Sequence, residues 1–440
     1  MLNVDEFATA LFDELKLPKV GHYYVAFSGG VDSTVLLHLM SALQKSYDIK
    51  LTALHVDHNL QEDSQMWSIH CQRVCQQLGV TLKFTTLNLD SSSEASARSA
   101  RYQWMSEQVE RGSVLMTAHH QQDRVETLLF NLMRGAGSAG LSSLRALRPF
   151  YSARLARPLL GFSQNDVLEY AQRNECKWID DPSNRNTQYS RNDIRKNVLP
   201  VLADFRPDAV RNIARAASNL ESENSLMREL AISDLVEVRE HPKHPQDHSH
   251  ALCTDDLTPF SSARRANLIR FWLNSLDLHI PSQRFLASIL AAIDTPPNPT
   301  AVLQEEGFQF RFYKGFMYVM PAAYTEPVFD TIDWQNPAQP LGLYRDQIRV
   351  GAKPKLRELV NAHKPDALRL SAREHVCNPQ ALQGHSLNLK KWLQDVGVPP
   401  WRRQTLPILT FVKKETTVVL APVDQSLHND WISLHSPIRG

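Results

Sequence analysis

Between residues 23 and 40 the sequence changes its period once, and that change restricts the fold more than any other feature. Tyr23-Tyr24-Val25-Ala26-Phe27 is an unbroken apolar, aromatic run that reads as a buried strand. Thr34-Val35-Leu36-Leu37-His38-Leu39-Met40 reads as a helix, and Ser28-Gly29-Gly30-Val31-Asp32-Ser33 joins the two. A Gly-rich turn from strand to helix aims backbone N–H groups at one point. The positive end of the helix dipole adds to that field, so the place suits a phosphate. The loop has no Gly-Lys-Ser/Thr and so differs from the common nucleotide P-loop. Glycine N–H groups and the Ser28 and Ser33 hydroxyls suit a phosphate, and Asp32 suits a Mg²⁺ ion on it. The plainer reading is an ordinary helix N-cap, because Ser and Asp favour caps.

The same alternation continues for the first third of the chain. Leu51–Val56, Val80–Leu87 and Val114–Ala118 read as further strands. Asp63–Leu78, Glu94–Arg111 and Asp123–Arg134 read as helices, each followed by a glycine (Gly79, Gly112, Gly135). Repeated βα units imply an α/β fold with a doubly wound, mostly parallel sheet. Ligands of such sheets sit beyond the carboxyl ends of the strands, where the opening loop, His55 and His119-His120 all fall. Downstream, Ser163–Arg173 reads as a capped helix and residues 207–238 as a long helix suited to linking domains. A small helical module follows, with Arg264–Leu276 and Ser282–Ile293, then a hairpin at Phe308–Met320 turning on Lys314-Gly315. After a Pro-rich stretch at 321–340, short strands and one helix complete a C-terminal α+β module. The expected division is 1–215, 216–340 and 341–440.

The chain has 440 residues, 42% of them hydrophobic, and a net charge of +1, which is enough apolar content for ordinary cores and argues neither for nor against nucleic acid. Residues 98–215 carry 18 Lys and Arg against 12 Asp and Glu, a local field that a phosphate-bearing partner would benefit from. Five cysteines (Cys71, Cys75, Cys176, Cys253, Cys377) form no Cys-x-x-Cys; Cys71 and Cys75 read as buried thiols on a core-facing helical stripe. The N-terminus lacks a basic leader and no run reaches 18 apolar residues. The reading is a cytoplasmic, reduced protein without membrane contact. The histidines of 241–250 lie among prolines and polar residues and read as an exposed loop rather than a metal site.

Three further blocks carry chemistry. In Thr117-Ala118-His119-His120-Gln121-Gln122-Asp123-Arg124-Val125-Glu126-Thr127, Asp123 and Glu126 share one helical face at a strand end. Acids in a first turn are often only dipole stabilisers; here the context aims them at the same sheet end as the loop. Arg134-Gly135-Ala136-Gly137-Ser138-Ala139-Gly140-Leu141 suits a backbone that approaches a phosphate or base closely, or a flexible connection. Asp180-Asp181-Pro182-Ser183-Asn184 precedes Arg191 and Arg195, which are four apart and suit either pairing with Asp180 or Asp181 or bidentate grip on phosphate.

The opening loop resembles the PP-loop of the N-type ATP pyrophosphatases. With the later blocks, nearly the whole chain resembles the tRNA(Ile)-lysidine synthetase family: the PP-loop, His55-Val56-Asp57-His58-Asn59-Leu60, Ala97-Arg98-Ser99-Ala100-Arg101-Tyr102, the His-x-x-Asp-x-x-Glu-Thr block, the Arg-Gly-x-Gly-x-x-Gly-Leu loop, the Asp-x-Ser-Asn…Arg-Asn-x-x-Arg element, and terminal Leu389-Lys390-Lys391-Trp392-Leu393 with Val398-Pro399-Pro400-Trp401-Arg402. Two positions depart from the family pattern: Gln122 stands where many members have an Asp, and Arg124 where many have Gln.

The resemblance implies a PP-loop ATPase-type catalytic domain and a two-step reaction on the wobble cytidine of the isoleucine tRNA with a CAU anticodon. ATP adenylates the cytosine 2-carbonyl oxygen; free L-lysine then displaces AMP. Ser28, Gly29, Gly30, Val31, Asp32 and Ser33 would hold the phosphates, Asp32 with Mg²⁺, and His55 would line the adenosine pocket. Asp123 and Glu126 would bind the lysine ammonium. Arg98, with Arg101 competing, would steady the adenylate. Arg134, Arg191, Arg195, Lys390, Lys391, Arg402 and Arg403 would meet tRNA, while Trp392 and Trp401 read as core. Arg124 would turn its extra charge towards RNA. A homodimer is kept as an expectation. The competing reading is a PP-loop tRNA thiolase of the 2-thiocytidine type, against which the missing Cys-x-x-Cys weighs.

Overall fold

The computed structural model describes residues 1–57, 64–87, 94–142, 144–179, 190–241, 249–322, 331–343, 348–376, 378–383, 385–404, 406–413, 416–423 and 430–435. His58, Asn59, Leu60, the Asp180–Asn184 segment, residues 242–248 and Cys377 lie outside them, and of Arg191 only the backbone is described. By contact the chain divides into Met1–Leu226 and Met227–Gly440.

The first unit is a layered α/β structure. In chain order it comprises α1 (Val4–Ala8), β1 (Gly21–Ala26), α2 (Val31–Gln44), β2 (Ile49–Asp57), α3 (Ser64–Leu78), β3 (Thr81–Thr86), α4 (Glu94–Gln108), β4 (Val114–Met116), α5 (Gln121–Met133), α6 (Ser138–Leu141), β5 (Leu147–Phe150), β6 (Ala153–Ala156) and α7 (Gln164–Arg173). They are followed by α8 (Ser190–Asp193), a π-helical turn at Ile194–Val198, α9 (Leu199–Phe205) and α10 (Ala209–Glu237). The sheet order is β3-β2-β1-β4-β6-β5. All neighbours are parallel except β5, which runs antiparallel to β6.

This order carries the functional consequence. From β1 the chain winds outward through β2 and β3, then returns to place β4 on the other side of β1. The topological switch point therefore lies between β1 and β4, and a crevice opens there at the carboxyl ends. The strands alternate as a period of two requires: Tyr23 and Val25 enter the core shared with α1, α2 and α7, while Tyr24 enters the one under α4 with Met105, Leu115 and Leu155. Cys71 and Cys75 are buried in the first of these cores, and burial pushes both thiols up to about 12.

In the second unit, β7 (Glu240–His241), β8 (His250–Cys253), β9 (Leu303–Glu305), β10 (Phe308–Tyr313) and β11 (Phe316–Pro321) form a sheet in the order β7-β8-β11-β10-β9. It packs against α11 (Ser262–Ser275) and α12 (Gln283–Asp294). The β10–β11 hairpin turns on Lys314 and Gly315, both with positive φ, as a tight two-residue turn demands. The sequence reading contained both helices and this hairpin but not β7, β8 and β9, which are too short for periodicity to reveal. A second sheet combines strands 332–333, 367–371, 408–413, 416–422 and 379–380, and a third has three strands. Among the described residues no helix is long and apolar enough to cross a membrane.

Trp272 is fully buried between these helices and Phe310, with its indole N–H donated to Glu240 at 3.1 Å. Trp272→Ala should lower unfolding free energy by about 3–5 kcal/mol in chemical denaturation, since it removes a large core side chain; a loss under 1 kcal/mol would contradict this packing.

Candidate functional site

Helix α2 begins at Gly30, which caps it with extended backbone (ψ 164°) and no side-chain hydrogen bond. The plain N-cap reading of Ser28 and Asp32 therefore fails, and the first-turn N–H groups keep no side-chain cap. Instead the loop braces itself. Ser28 and Ser33 hydroxyls lie 3.1 Å apart, Ser33 Oγ donates to Gly30 O at 3.0 Å, and Thr34 Oγ1 donates to the same carbonyl at 2.9 Å. Gly29 has φ +84°, and an added Cβ would meet Cys71 Sγ at 3.0 Å, so both conformation and space call for glycine. Its carbonyl accepts from Ile179 N at 3.0 Å. His55, buried at the end of β2, fixes the strand side: its Nδ1 is 2.9 Å from Phe27 O and its Nε2 3.3 Å from Ser68 Oγ. Burial lowers the His55 pKa, which suits a neutral ring donating from Nδ1.

Across the switch point, β4 leads into His119, His120 and α5. Asp123 Oδ2 accepts from the His120 backbone N–H at 2.8 Å, which ties the carboxylate to the first turn. The His120 ring is buried between two acids, with Nε2 3.9 Å from Asp32 Oδ2 and Nδ1 3.6 Å from Asp123 Oδ2. His120 thus bridges the loop to the acid pair. Sequence reasoning named it at a strand end but gave it no role, because nothing local shows that it lies against Asp32.

Glu126 is almost fully buried, with 3% of its side chain exposed, and is held on both oxygens. Arg195 Nε donates to Oε1 at 2.7 Å and Nη2 to Oε2 at 3.0 Å, while Nη2 also reaches Asp123 Oδ1 at 3.4 Å. Gln122 Nε2 donates to Glu126 Oε1 at 3.1 Å, which gives that departure from the family pattern a role: it neutrally solvates the buried acid. Arg195, expected at phosphate or RNA, is committed to these two acids because its fork matches their oxygens. It sits in the π-helical turn, an irregularity that recurs at functional sites.

Asp32 Oδ1 is buried without a hydrogen-bond partner. Burial raises the Asp32 pKa, His120 opposes the rise, and Asp123 adds to it. His119 accepts or donates at Thr117 Oγ1 over 2.9 Å, and its pKa is well below the usual imidazole range, through burial and then the charges of Arg157, Arg98 and Arg101 against Asp123.

Two expectations are corrected. Arg124 does not face RNA. Its side chain is buried, Nη2 donates to Glu221 Oε2 at 3.0 Å, and Glu221 Oε1 accepts from Ala146 N at 3.0 Å, so Arg124 secures α5 to α10. Arg402 is 2% exposed, donates to Ser249 Oγ at 2.8 Å and lies over Tyr318, which removes it from any phosphate-facing surface. Arg403 is half-buried and donates to Val398 O at 2.9 Å and Tyr313 Oη at 3.1 Å. Trp401 packs edge-on against Tyr318 and Tyr313 in a core, and Trp392 packs on Leu389 and Leu393 in another. Lys390 and Lys391 are exposed on the Leu389–Asp395 helix, and Arg134 is exposed over the Phe130 ring. Arg98 and Arg101 stack on Tyr102, with centroid distances of 5.0 and 5.7 Å.

Comparison with known proteins agrees with this geometry. A PP-loop domain model matches residues 4–202, a TilS substrate binding domain model 252–318 and a TilS substrate C-terminal domain model 367–431. The tRNA(Ile)-lysidine synthase of Pseudomonas aeruginosa is 35% identical over 95% of this chain and 94% of its own length. The chain belongs to the tRNA(Ile)-lysidine synthase family. Members from Pseudomonas syringae pv. tomato and Yersinia pseudotuberculosis are 33% and 34% identical over 88% and 89% of this chain, and over 86% and 89% of their own lengths. The lysidine synthase family is one of enzymes, and its PP-loop domain here covers both the braced loop and the acid pair.

Arg124→Gln leaves the half-buried Glu221 with the Ala146 N–H but without its guanidinium and should cost about 1–3 kcal/mol in chemical denaturation. Adding Glu221→Gln should restore part of that, whereas additive losses would show that the two do not interact. For His119, the unfolded chain binds a proton below about 6.5 while the folded ring stays neutral. Its contribution is present above that pH and lost as pH falls. Between pH 6 and 5 wild type should lose more stability than His119→Asn, by at most about 1.4 kcal/mol per pH unit; parallel profiles would contradict the assignment.

Proposed function

We propose that this protein joins L-lysine to C2 of the wobble cytosine of the CAU-anticodon isoleucine tRNA, forming lysidine with release of AMP and pyrophosphate. One observation carries the reading. The phosphate loop and the acid pair, from opposite sides of the switch point, are connected through Asp32, His120, Asp123, Arg195 and Glu126.

In the first step the cytosine 2-carbonyl oxygen attacks the α-phosphorus of ATP, and pyrophosphate leaves. The uncapped first turn of α2 and the glycine N–H groups meet the departing charge on a backbone that is already braced, and the Ser28 and Ser33 hydroxyls turn from Ser33 Oγ and Gly30 O to join them. Asp32 fits a Mg²⁺ ion, since its Oδ1 is a buried carboxylate oxygen with no partner. The bound ion would offset charge on the phosphates. His55 shapes the adenosine side of the crevice from β2. Arg98 would steady the adenylate.

In the second step the ε-amine of lysine attacks C2 and AMP leaves. The ammonium has a pKa of about 10.4 and must lose a proton first. Asp123 and Glu126 receive that cation, and one of them takes the proton. Arg195 already supplies a cation to the same oxygens, so it must yield part of its hold as lysine enters. Domains 216–340 and 341–440 hold the tRNA body, chiefly through exposed cations such as Lys390 and Lys391. A cytoplasmic setting belongs to the same reading. Sulfur transfer is disfavoured by the Cys71 and Cys75 thiols, which burial keeps protonated at neutral pH.

With ATP, Mg²⁺, labelled lysine and total tRNA, lysine label should enter RNA; entry of sulfur or glutamine nitrogen without lysine would overturn the reading. Glu126→Gln should reduce lysine transfer by about 100-fold or more, the scale of a lost proton acceptor, while adenylation falls less than tenfold. An equal loss in both steps would remove Glu126 from the lysine site.

A further inference from the structure

Arg98, Arg101 and Arg148 meet on the ring of Tyr102 beside the crevice, Arg157 reaches the same tyrosine, and the reaction as described uses only Arg98 of the four. Arg98 and Arg148 place their guanidinium carbons 5.0 and 5.9 Å from the centroid of Tyr102. Arg98 Nη2 also donates to Tyr102 Oη at 3.4 Å. Arg157 lies beneath them, 3% exposed, with Nη1 donating to Arg145 O at 2.6 Å and Nε buried without a partner. Among the described residues none of these three side chains forms an ion pair with a carboxylate. Burial lowers the Arg157 guanidinium to about 10, Arg148 and Arg98 add to the drop, and Tyr102 opposes it.

Topology places the group. Arg157 follows the last residue of β6, and Arg148 is paired with Leu155 near the start of antiparallel β5, so both stand at the carboxyl end of the parallel sheet. Arg98 lies in the first half of α4 and Tyr102 one turn further on, near its middle; α4 follows the carboxyl end of β3. His119, at the end of neighbouring β4, feels the charges of Arg157 and Arg98. The cluster is therefore at the β4–β6–β5 side of the crevice, whereas His55 is on the β2 side. A nucleotide on the loop with its adenosine towards β2 leaves the arginine side open to the other substrate.

Guanidinium groups without a carboxylate partner among the described residues, set on a stacking platform, suit an anion, and their planar forks match the oxygens of a phosphate. We propose that Arg98, Arg148 and Arg157, gathered on Tyr102, form a site for a backbone phosphate of the RNA next to the base being modified. The site rests on the proposed function for the identity of its ligand. It would fix the extruded nucleotide by its backbone while the crevice presents C2 to the loop and the acid pair.

The test separates RNA phosphate from nucleotide phosphate. Arg148→Gln and Arg157→Gln would be compared with wild type for tRNA affinity across a salt series and for ATP affinity without tRNA, with thermal unfolding as the control on folding. For each correctly folded variant, tRNA should bind about three- to tenfold more weakly at low salt, and the slope of log K against log salt should shrink by about 0.7, one phosphate on a single strand. ATP affinity should be unchanged. Arg148→Lys should recover affinity only in part, since a point charge replaces a fork. Lost ATP affinity with unchanged tRNA slope would assign the site to the nucleotide and overturn the proposal. Unchanged values for both in Arg148→Gln, whose half-exposed side chain makes misfolding no explanation, would also overturn it. A wild-type protein that binds tRNA and gives these slopes but transfers no lysine would sustain the phosphate site while sinking the lysine reading.

Discussion

A carboxylate removed from water must be matched by donors, and Glu126 sets that requirement at the centre of this molecule. It is met by Arg195 on both oxygens and by Gln122 on one. That requirement fixes much else. It draws the π-helical turn at Ile194–Val198 onto α5, and it leaves Asp123 held between Arg195 and the His120 backbone. Through His120 the arrangement reaches Asp32 and the phosphate loop. One network of polar contacts thus spans the switch point of the sheet and joins two strand ends.

The network also suits the two steps proposed for it. The loop half is rigid before any ligand arrives: its hydroxyls and carbonyls satisfy one another, and Gly29 leaves no space for a side chain. The acid half is held by a guanidinium from another element, so it can exchange one cation for another without exposing a bare buried carboxylate. Arg124 and Glu221 secure the other face of α5 to α10, which holds the acid pair in place while the crevice works.

What the sequence disclosed and what it withheld follow from the range of the interactions. The βα units, the strand–loop–helix around Ser28–Ser33, the placement of Asp123 and Glu126 on one helical face and the hairpin at Lys314-Gly315 are local, and their periods and turn residues express them directly. The charged partners of Glu126 and Arg124 lie 69 and 97 residues away, so nothing beside them in the chain announces either ion pair. Arg402 illustrates the converse: among lysines and tryptophans near the C-terminus it reads as a surface cation, yet Ser249, far away in sequence, gives its guanidinium a buried partner. Likewise nothing local marks Arg148 and Arg157, and only the fold brings them to Tyr102 with Arg98.

The central claim is that the loop activates an RNA base and the acid pair then supplies an amine. The direct measurement is a single-turnover reaction with α-labelled ATP, Mg²⁺ and the isoleucine tRNA in the absence of lysine. The account predicts that AMP label accumulates covalently on the RNA and is discharged as free AMP when lysine is added. Label that reaches RNA only in the presence of lysine, or that appears on lysine first, would contradict it.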